Sequence, residues 1–256
     1  LRAGGTQGLP LEAAPLVFGS WMGGDRDGNP NVTPAVTRRV CALHRWLAAD
    51  LYWHDLDRLR AGLAAEPCSQ ELRDHVGEGR EPYRMLLKEV RARMERTREW
   101  ARALVHSEDA SGSDPYLDPA EAIAPLELIR RSLIEVGAQD VAQGELTNIL
   151  RRLAVFGLTL ARIDLRQEST RHTEVLSAVT QHLGLGDYAA WDDSKRLRFL
   201  REELNNRRPL IPRSLVASDE VRDVLDTMAV ASQQGPGSLG AYVISMARGA
   251  SDVLAV

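Results

Sequence analysis

The sequence feature that most constrains the fold is the run over residues 23–31, Gly-Gly-Asp-Arg-Asp-Gly-Asn-Pro-Asn. Three glycines, one proline and five polar or charged side chains form a composition that favours tight turns and is foreign to a packed core. The apolar residues 16–22 before it predict a short strand. Thr33 and Pro34 after it are typical of a helix N-cap and a first helical position. The run is therefore predicted to be a loop between a strand and a helix.

This run differs from two known kinds of ligand-binding loop. Asp25 and Asp27 occupy early ligand positions of a calcium-binding EF-hand loop. However, Pro30 stands where that motif requires glycine, and Val36 stands where it requires glutamate. The Gly-Lys-Ser/Thr ending of a nucleotide-binding loop is absent too. The remaining interpretation is a rigid loop in which Arg26 either contacts an anion or is held between Asp25 and Asp27.

A second informative segment covers residues 158–170, where an apolar strand pattern becomes charged toward its end. Alternation along a strand places Arg162, Asp164 and Arg166 on one face, after two leucines on the same face. This gradient is typical of a barrel strand that opens into a site at its C-terminal end. The three charged residues are interpreted either as a structural Arg–Asp–Arg brace or as a grip on a phosphate or carboxylate.

The rest of the chain is predicted to be mostly helical. Apolar spacing and capping residues predict helices over residues 34–60, 81–105, 118–137, 145–156, 169–183, 193–205 and 218–233. Along the first helix, apolar residues recur at helical spacing at Val36, Val40, Leu43, Leu47 and Leu51. A third strand is predicted over residues 241–246, again followed by a helix. The predicted fold is mainly α with a few parallel strands, as part of an α/β (TIM-like) barrel with large helical insertions.

Composition excludes several classes of function. The net charge of −4 argues against a nucleic-acid or membrane surface, and no apolar run approaches the roughly 20 residues of a membrane span. Two cysteines, Cys41 and Cys68, suggest a reducing, cytoplasmic location and offer no disulfide framework. No set of side chains has the spacing of metal ligands. His172 is interpreted as a capping or packing residue.

The two ends of the chain favour interpretation as part of a longer protein. The sequence starts without Met and stops within the apolar residues 252–256. Residues 1–15 are rich in Gly, Ala and Pro and predict a connector. The alternative interpretation is a complete small domain with a helical tail.

Four stretches resemble signature segments of phosphoenolpyruvate carboxylase: residues 18–33, 81–84, 162–174 and 241–256. They follow one another in the expected order over nearly the whole chain. The resemblance implies that residues 1–256 are the central portion of a single domain of a bacterial-type enzyme, incomplete at both ends.

The resemblance also implies an activity and a set of partners. Such an enzyme is a carboxy-lyase that joins bicarbonate to phosphoenolpyruvate, giving oxaloacetate and phosphate with Mg²⁺ or Mn²⁺, and so feeds the tricarboxylic acid cycle. A cytoplasmic homotetramer is implied. Two alternatives remain open: a non-catalytic helical module that binds anions or acts as a scaffold, and another barrel enzyme that handles phosphoenolpyruvate.

Site residues follow from the resemblance position by position. Arg166, Trp21, Arg26 and Asp25 are implied to bind substrate, and Arg84 lies near a position implicated in allosteric activation by sugar phosphates. The family's catalytic histidine motif, glycine-rich mobile loop and metal-binding carboxylates have no counterpart in this sequence. The resemblance therefore implies that this polypeptide contains no catalytic residue or metal site and is inactive by itself.

Overall fold

The computed structural model describes residues 9–235 and 237–256. The first eight residues of the predicted connector lie outside the described residues, and so does Pro236, where the sequence Gly-Pro-Gly-Ser of residues 235–238 predicts a turn. The chain divides into two compact units. The first consists of the described part of Leu1–Gly19, with Arg39–Arg162 and Gly235–Ser238; the second consists of Ser20–Arg38, Ile163–Gln234 and Leu239–Val256.

Helices account for most of the described residues. In chain order they are α1 (Pro34–Gly62), α2 (Gln70–Val76), α3 (Pro82–Val105), α4 (Pro119–Glu135), α5 (Gln139–Val141), α6 (Thr147–Phe156), α7 (Ser169–His182), α8 (Asp193–Leu204), α9 (Asp219–Gln233) and α10 (Ala250–Leu254). A π-helical turn (Ala142–Leu146) precedes α6, and a 3₁₀ turn (Tyr188–Ala190) precedes α8. The predicted helices are confirmed, whereas α2 was not predicted because seven residues carry too little periodicity.

The core of the first unit is built from α1, α2, α3, α4 and α6. On α3, Tyr83, Leu87 and Met94 are almost completely buried, as the apolar spacing of that helix predicts. The Tyr83 hydroxyl donates to the carbonyl oxygen of Pro67 over 3.0 Å, so burial leaves no unsatisfied donor. The start of α4 is fixed by a capping box between Asp118 and Glu121, as predicted.

The apolar stripe by which the sequence predicts α1 is not the face that contacts the core. Leu43, Leu47 and Leu51 are exposed, and the core is instead contacted by a parallel stripe that includes Tyr52 and Leu56. Both stripes have helical spacing, so the sequence of α1 alone does not determine which one is buried. The packing surface offered by the neighbouring helices of the unit decides it.

Three strands, β1 (Gly19–Ser20), β2 (Arg162–Glu168) and β3 (Leu239–Ser245), form one sheet in that order. β2 and β3 are parallel, with Leu165 opposite Tyr242 and Arg166 opposite Val243. The fold is therefore mainly helical with a small parallel sheet. The predicted strand over residues 16–22 is wrong except at β1.

β2 is shorter than predicted but has the predicted alternation. It begins at Arg162, because Leu160 donates its backbone N–H to the carbonyl of His44 on α1 instead of entering the sheet. Within β2, Ile163 and Leu165 are buried while Arg166 is partly exposed. The charged face predicted from the sequence is therefore present over the length of the strand.

The start of α7 also differs from the prediction. Glu168 occupies the N-cap position and makes no capping bond through its side chain. By sequence, Ser169 or Thr170 is a candidate cap, but α7 already begins at Ser169, whose hydroxyl donates to the carbonyl oxygen of Met246, 3.0 Å away. A capping side chain belongs to the residue before the first helical residue, so neither of these two residues serves as the cap.

The two faces of α1 predict different responses to truncation. Leu56 is 1% exposed and Leu47 is 38% exposed on the same helix. Leu56→Ala is expected to lower the free energy of unfolding by about 2–5 kcal/mol, because it removes buried methyl groups and leaves a cavity. Leu47→Ala is expected to change it by less than about 1 kcal/mol. Denaturant titration of both variants measures the difference, and equal losses would contradict this assignment of the buried face.

Candidate functional site

The loop over residues 23–31 lies against β2 through paired backbone hydrogen bonds. Arg26 donates its N–H to the carbonyl oxygen of Arg166 over 2.9 Å, and Arg166 donates to the carbonyl of Gly24 over 2.9 Å. The pattern is a parallel bridge between Asp25 and Arg166. The loop thus acts as a short extra strand segment, and its side chains are placed in register with those of β2.

Gly24 makes this contact possible. A Cβ atom at this position would lie 2.0 Å from the backbone oxygen of Asp164 and 2.8 Å from the side chain of Ile163. Backbone oxygen cannot move aside in the way that the end of a long side chain can. Any residue larger than glycine would therefore push the loop away from β2.

The side chain of Arg166 is held on this face of β2 by the loop. Its Nη1 donates to Oδ2 of Asp25 over 3.4 Å, and its Nη2 donates to Oδ2 of Asp27. Its Cζ lies 5.2 Å from the centroid of the Trp21 ring, which is cation–π distance. Arg166, Trp21 and Asp25, all predicted site residues, therefore lie together, and the side chain of Arg166 retains 28% exposure.

Asp164 does not form the Arg–Asp–Arg brace that was considered from the sequence. Its Oδ2 accepts from Nε1 of Trp21 over 3.2 Å, and its Oδ1 accepts from the backbone N–H of Ala241 over 2.8 Å. Among the described residues no ion pair joins it to Arg162 or Arg166. The brace interpretation fails because β3 and the tryptophan supply nearer donors. Asp164 thereby orients the indole that covers Arg166.

Arg26 points away from that cluster. Its Nη2 donates to Oγ1 of Thr37 over 2.7 Å, and Thr37 donates to the carbonyl oxygen of Gly23 over 2.6 Å. Both side chains are buried. The interpretation that Arg26 is held between Asp25 and Asp27 is therefore wrong, because those aspartates hold Arg166. Through these two bonds, Thr37 on α1 holds both the side chain of Arg26 and the backbone at the start of the loop.

A cavity of about 550 Å³ lies beside Arg26. Its lining includes Gln167, Glu168, Arg171 and Asp223, whereas Trp21 and Arg166 are not part of it. Burial lowers the pKa of the Arg26 guanidinium, and the Asp223 carboxylate opposes that shift. The structure thus places Arg26 apart from the other three predicted substrate-binding residues.

Asp27 and Thr37 are site residues that the sequence-based prediction missed. Asp27 lies two residues after Asp25, and residues with that spacing share one face of an extended segment. The spacing would therefore have indicated Asp27 as a second contact of Arg166, but only if the pairing of the loop with β2 had been predicted. Thr37 carried no such signal, since it lies on the first turn of α1 and its role depends on where the loop folds back.

Arg84, predicted to be allosteric, contacts the C-terminal end of α1. Its Nε donates to the carbonyl of Arg60 over 3.0 Å and its Nη2 to that of Ala61 over 2.9 Å, while Glu81 pairs with its Nη1 over 2.6 Å. These bonds satisfy carbonyls that a helix end leaves without partners. The structure gives Arg84 a capping role, and its allosteric role stays a prediction.

His172 is a buried titratable side chain on α7. Its Nε2 lies 3.0 Å from the hydroxyl of Tyr242 on β3, and the residue is 3% exposed. Burial lowers the pKa of the His172 imidazole, and the Asp252 carboxylate opposes the shift. The packing interpretation of His172 agrees with this environment.

Neither a metal cluster nor a membrane-spanning helix is found in the described part of the chain. Residues 9–235 and 237–256 contain no group of three or more His, Cys, Asp or Glu side chains arranged to hold a metal ion. Over the same residues, no helix combines the length and apolar character needed to cross a bilayer.

Comparison with known proteins identifies the family. The family model described as phosphoenolpyruvate carboxylase matches residues 1–256. This chain belongs to the phosphoenolpyruvate carboxylase family. Curated members include one from Marinobacter nauticus, 51% identical over 250 residues and 98% of this chain, and one from Pseudomonas putida, 51% identical over 248 residues and 97% of this chain. The member from Ectopseudomonas mendocina is 52% identical over 248 residues, again 97% of this chain.

The chain spans only 28% of the length of these phosphoenolpyruvate carboxylases. The match therefore establishes the family of this chain. It does not establish the activity, substrates or assembly of the whole protein.

The contact at Gly24 predicts a severe effect of adding one methyl group. Gly24→Ala is expected to lower the free energy of unfolding of the second unit by at least about 1–3 kcal/mol through overpacking, and to change Trp21 fluorescence because the loop moves off β2. Gly62→Ala, at the end of α1 with nothing within 4 Å of the added Cβ, is the control and is expected to be neutral or slightly stabilising. Gly24→Ala with unchanged stability and fluorescence would show that the loop is not packed this closely.

The buried imidazole of His172 predicts a pH-dependent stability. Since its pKa is lower in the folded than in the unfolded chain, its contribution is complete above about pH 6.5, the unfolded value, and is lost as the pH falls below it. The free energy of unfolding is expected to decrease between pH 7.5 and 5.5, with a shallower slope in His172→Gln. His75→Gln, at an exposed position on α2, is expected to keep the wild-type slope. Identical slopes in all three proteins would contradict the prediction.

Proposed function

We propose that the protein to which this chain belongs is a phosphoenolpyruvate carboxylase, which converts phosphoenolpyruvate and bicarbonate into oxaloacetate and phosphate. The observation that supports this most directly is the placement of Arg166 on β2, beside Trp21 and between two aspartates, in a chain of that family. We assign Arg166, Trp21 and Asp25 to the substrate site. Arg26 is assigned to it only through its hold on the loop.

The chemistry of the substrate fits this arrangement. Phosphoenolpyruvate carries a phosphate and a carboxylate, and a guanidinium presents paired N–H donors that match either group. The indole of Trp21 supplies an apolar wall beside the guanidinium of Arg166. In the proposed reaction bicarbonate attacks the phosphoryl group, giving carboxyphosphate and an enolate. Carbon dioxide released from carboxyphosphate then forms the new carbon–carbon bond with the enolate.

A divalent metal, Mg²⁺ or Mn²⁺, is proposed to stabilise the phosphate and enolate oxygens in the whole protein. Its ligands are proposed to come from residues outside this chain. Residues 1–256 alone are proposed to be inactive for the same reason. What these residues contribute is the positioning of an arginine and an indole.

The architecture of the whole protein is also part of the proposal. We propose that β1, β2 and β3 are neighbouring strands of a TIM-like barrel, and that residues 1–256 are the central portion of one domain with large helical insertions. The helices between β1 and β2 support this, since they are far longer than a single crossover connection. The homotetrameric assembly, the cytoplasmic location and the allosteric role of Arg84 are retained as proposals from the family.

Substitution of Arg166 in the full-length protein tests the proposed function. Arg166→Ala is expected to reduce kcat/KM for phosphoenolpyruvate by at least about 10- to 100-fold, the effect of losing charged hydrogen bonds to an anion. Arg222→Ala serves as control, because Arg222 on α9 is an exposed arginine paired with Asp219.

Oxaloacetate formation is measured in a coupled assay and phosphoenolpyruvate binding by calorimetry. Unchanged kinetics in Arg166→Ala would remove Arg166 from the site, and binding of phosphoenolpyruvate without oxaloacetate formation in the wild type would favour a non-catalytic anion-binding module.

A further inference from the structure

We propose that Asp25 and Asp27 are positioning residues, which fix the guanidinium of Arg166 in one orientation so that its remaining donors meet an anionic substrate. The proposal rests on the function proposed for the same site. It changes the assignment of Asp25 from substrate contact to support, and it gives Asp27 a role that the sequence did not suggest.

The loop that carries the two carboxylates is itself held in place. Asp25 uses Oδ1 to accept the backbone N–H of Asp27 over 3.1 Å and Oδ2 to accept from Arg166 over 3.4 Å. The backbone on both sides is bonded to β2 through Gly24 and Arg26. The Asp25 carboxylate and the backbone of Asp27 therefore cannot shift far without breaking bonds within the loop, while the Asp27 carboxylate is bonded to Arg166 itself. An acceptor anchored on one side and a second one on a fixed backbone leave the arginine few alternative rotamers.

The donors of Arg166 are only partly used by this pair. A guanidinium carries five N–H groups. Within residues 9–235 and 237–256, Asp25 takes one N–H on Nη1 and Asp27 takes one on Nη2, which leaves three. One face of the guanidinium is covered by Trp21. The substrate is therefore offered a defined edge of the arginine next to an apolar wall.

Charge alone would give the opposite expectation. Two carboxylates and one guanidinium sum to −1, so an incoming anion is repelled, and removal of one carboxylate would tighten its binding. Under that reading Asp27 would be an internal competitor for Arg166. The anchoring of Asp25 argues against it, because a competitor has to leave when the substrate arrives, whereas the Asp25 carboxylate also holds the backbone N–H of Asp27 and so limits where the Asp27 side chain can go.

Asparagine substitutions separate the two readings in the full-length protein. Asp27→Asn keeps the shape and one acceptor oxygen but removes the charged hydrogen bond. If Asp27 positions Arg166, the KM for phosphoenolpyruvate is expected to rise about tenfold, with a smaller change in kcat, and Asp25→Asn to act in the same direction. A fall in KM in either variant would overturn the proposal in favour of competition.

A double-mutant cycle tests whether Asp27 acts through Arg166. In an Arg166→Lys background, where the planar fork is missing, Asp27→Asn is expected to change KM less than about twofold. The same tenfold rise in both backgrounds would show that Asp27 acts on the loop in general and would overturn the positioning role. Thermal melting of each variant accompanies the kinetics, since a merely structural defect lowers the melting temperature without depending on the residue at 166.

The outcomes also distinguish this proposal from the proposed function. If Arg166→Lys and Arg166→Ala leave the KM for phosphoenolpyruvate unchanged, Arg166 is not in the substrate site and both proposals fail. If those variants raise KM while the aspartate variants do not, only the positioning role fails. A rise in KM for both aspartate variants that disappears in the Arg166→Lys background supports both proposals.

Discussion

The backbone contact between the glycine-rich loop and β2 is the constraint on which the site depends. Two hydrogen bonds join the loop to the main chain of Arg166, and they form only because Gly24 lets the loop approach the backbone oxygen of Asp164. That approach sets the register of the loop against the strand. With the register set, Asp25 and Asp27 face the guanidinium of Arg166 and the indole of Trp21 covers it.

Two arginines near this contact have different physical roles. Arg26 is buried, bonded to Thr37, and holds the loop at the start of α1. Arg166 is partly exposed and keeps donors available. A buried guanidinium needs fixed acceptors, whereas a guanidinium that binds a ligand needs access, so burial assigns a structural role to Arg26 and is compatible with the substrate-binding role proposed for Arg166. Sequence composition alone could not make this distinction, because both arginines have aspartates nearby. Arg26 lies between two aspartates along the chain, and Arg166 shares a strand face with Asp164.

The sequence-based predictions were right where the interactions join residues close in sequence, and wrong where they join residues far apart in sequence. Helix ends at Pro34, at the Asp118 capping box and after Ser218 were predictable, because each is fixed by bonds within a few residues. The buried face of α1 was not, because two apolar stripes compete and only distant helices choose between them. The partner of Asp164 was missed for a similar reason: Trp21 is 143 positions away in sequence and Ala241 is 77.

The sequence by itself determined the family, the mainly helical character with a few parallel strands, and the residues from which a site could be made, because motifs, periodicity and caps are local properties of a chain. The tertiary structure decided which of those residues meet. It grouped Arg166 with Trp21, Asp25 and Asp27 and turned Arg26 toward Thr37. The physical reason is that pairing of the loop with β2 joins segments about 140 residues apart, and no local pattern encodes the register of such a contact.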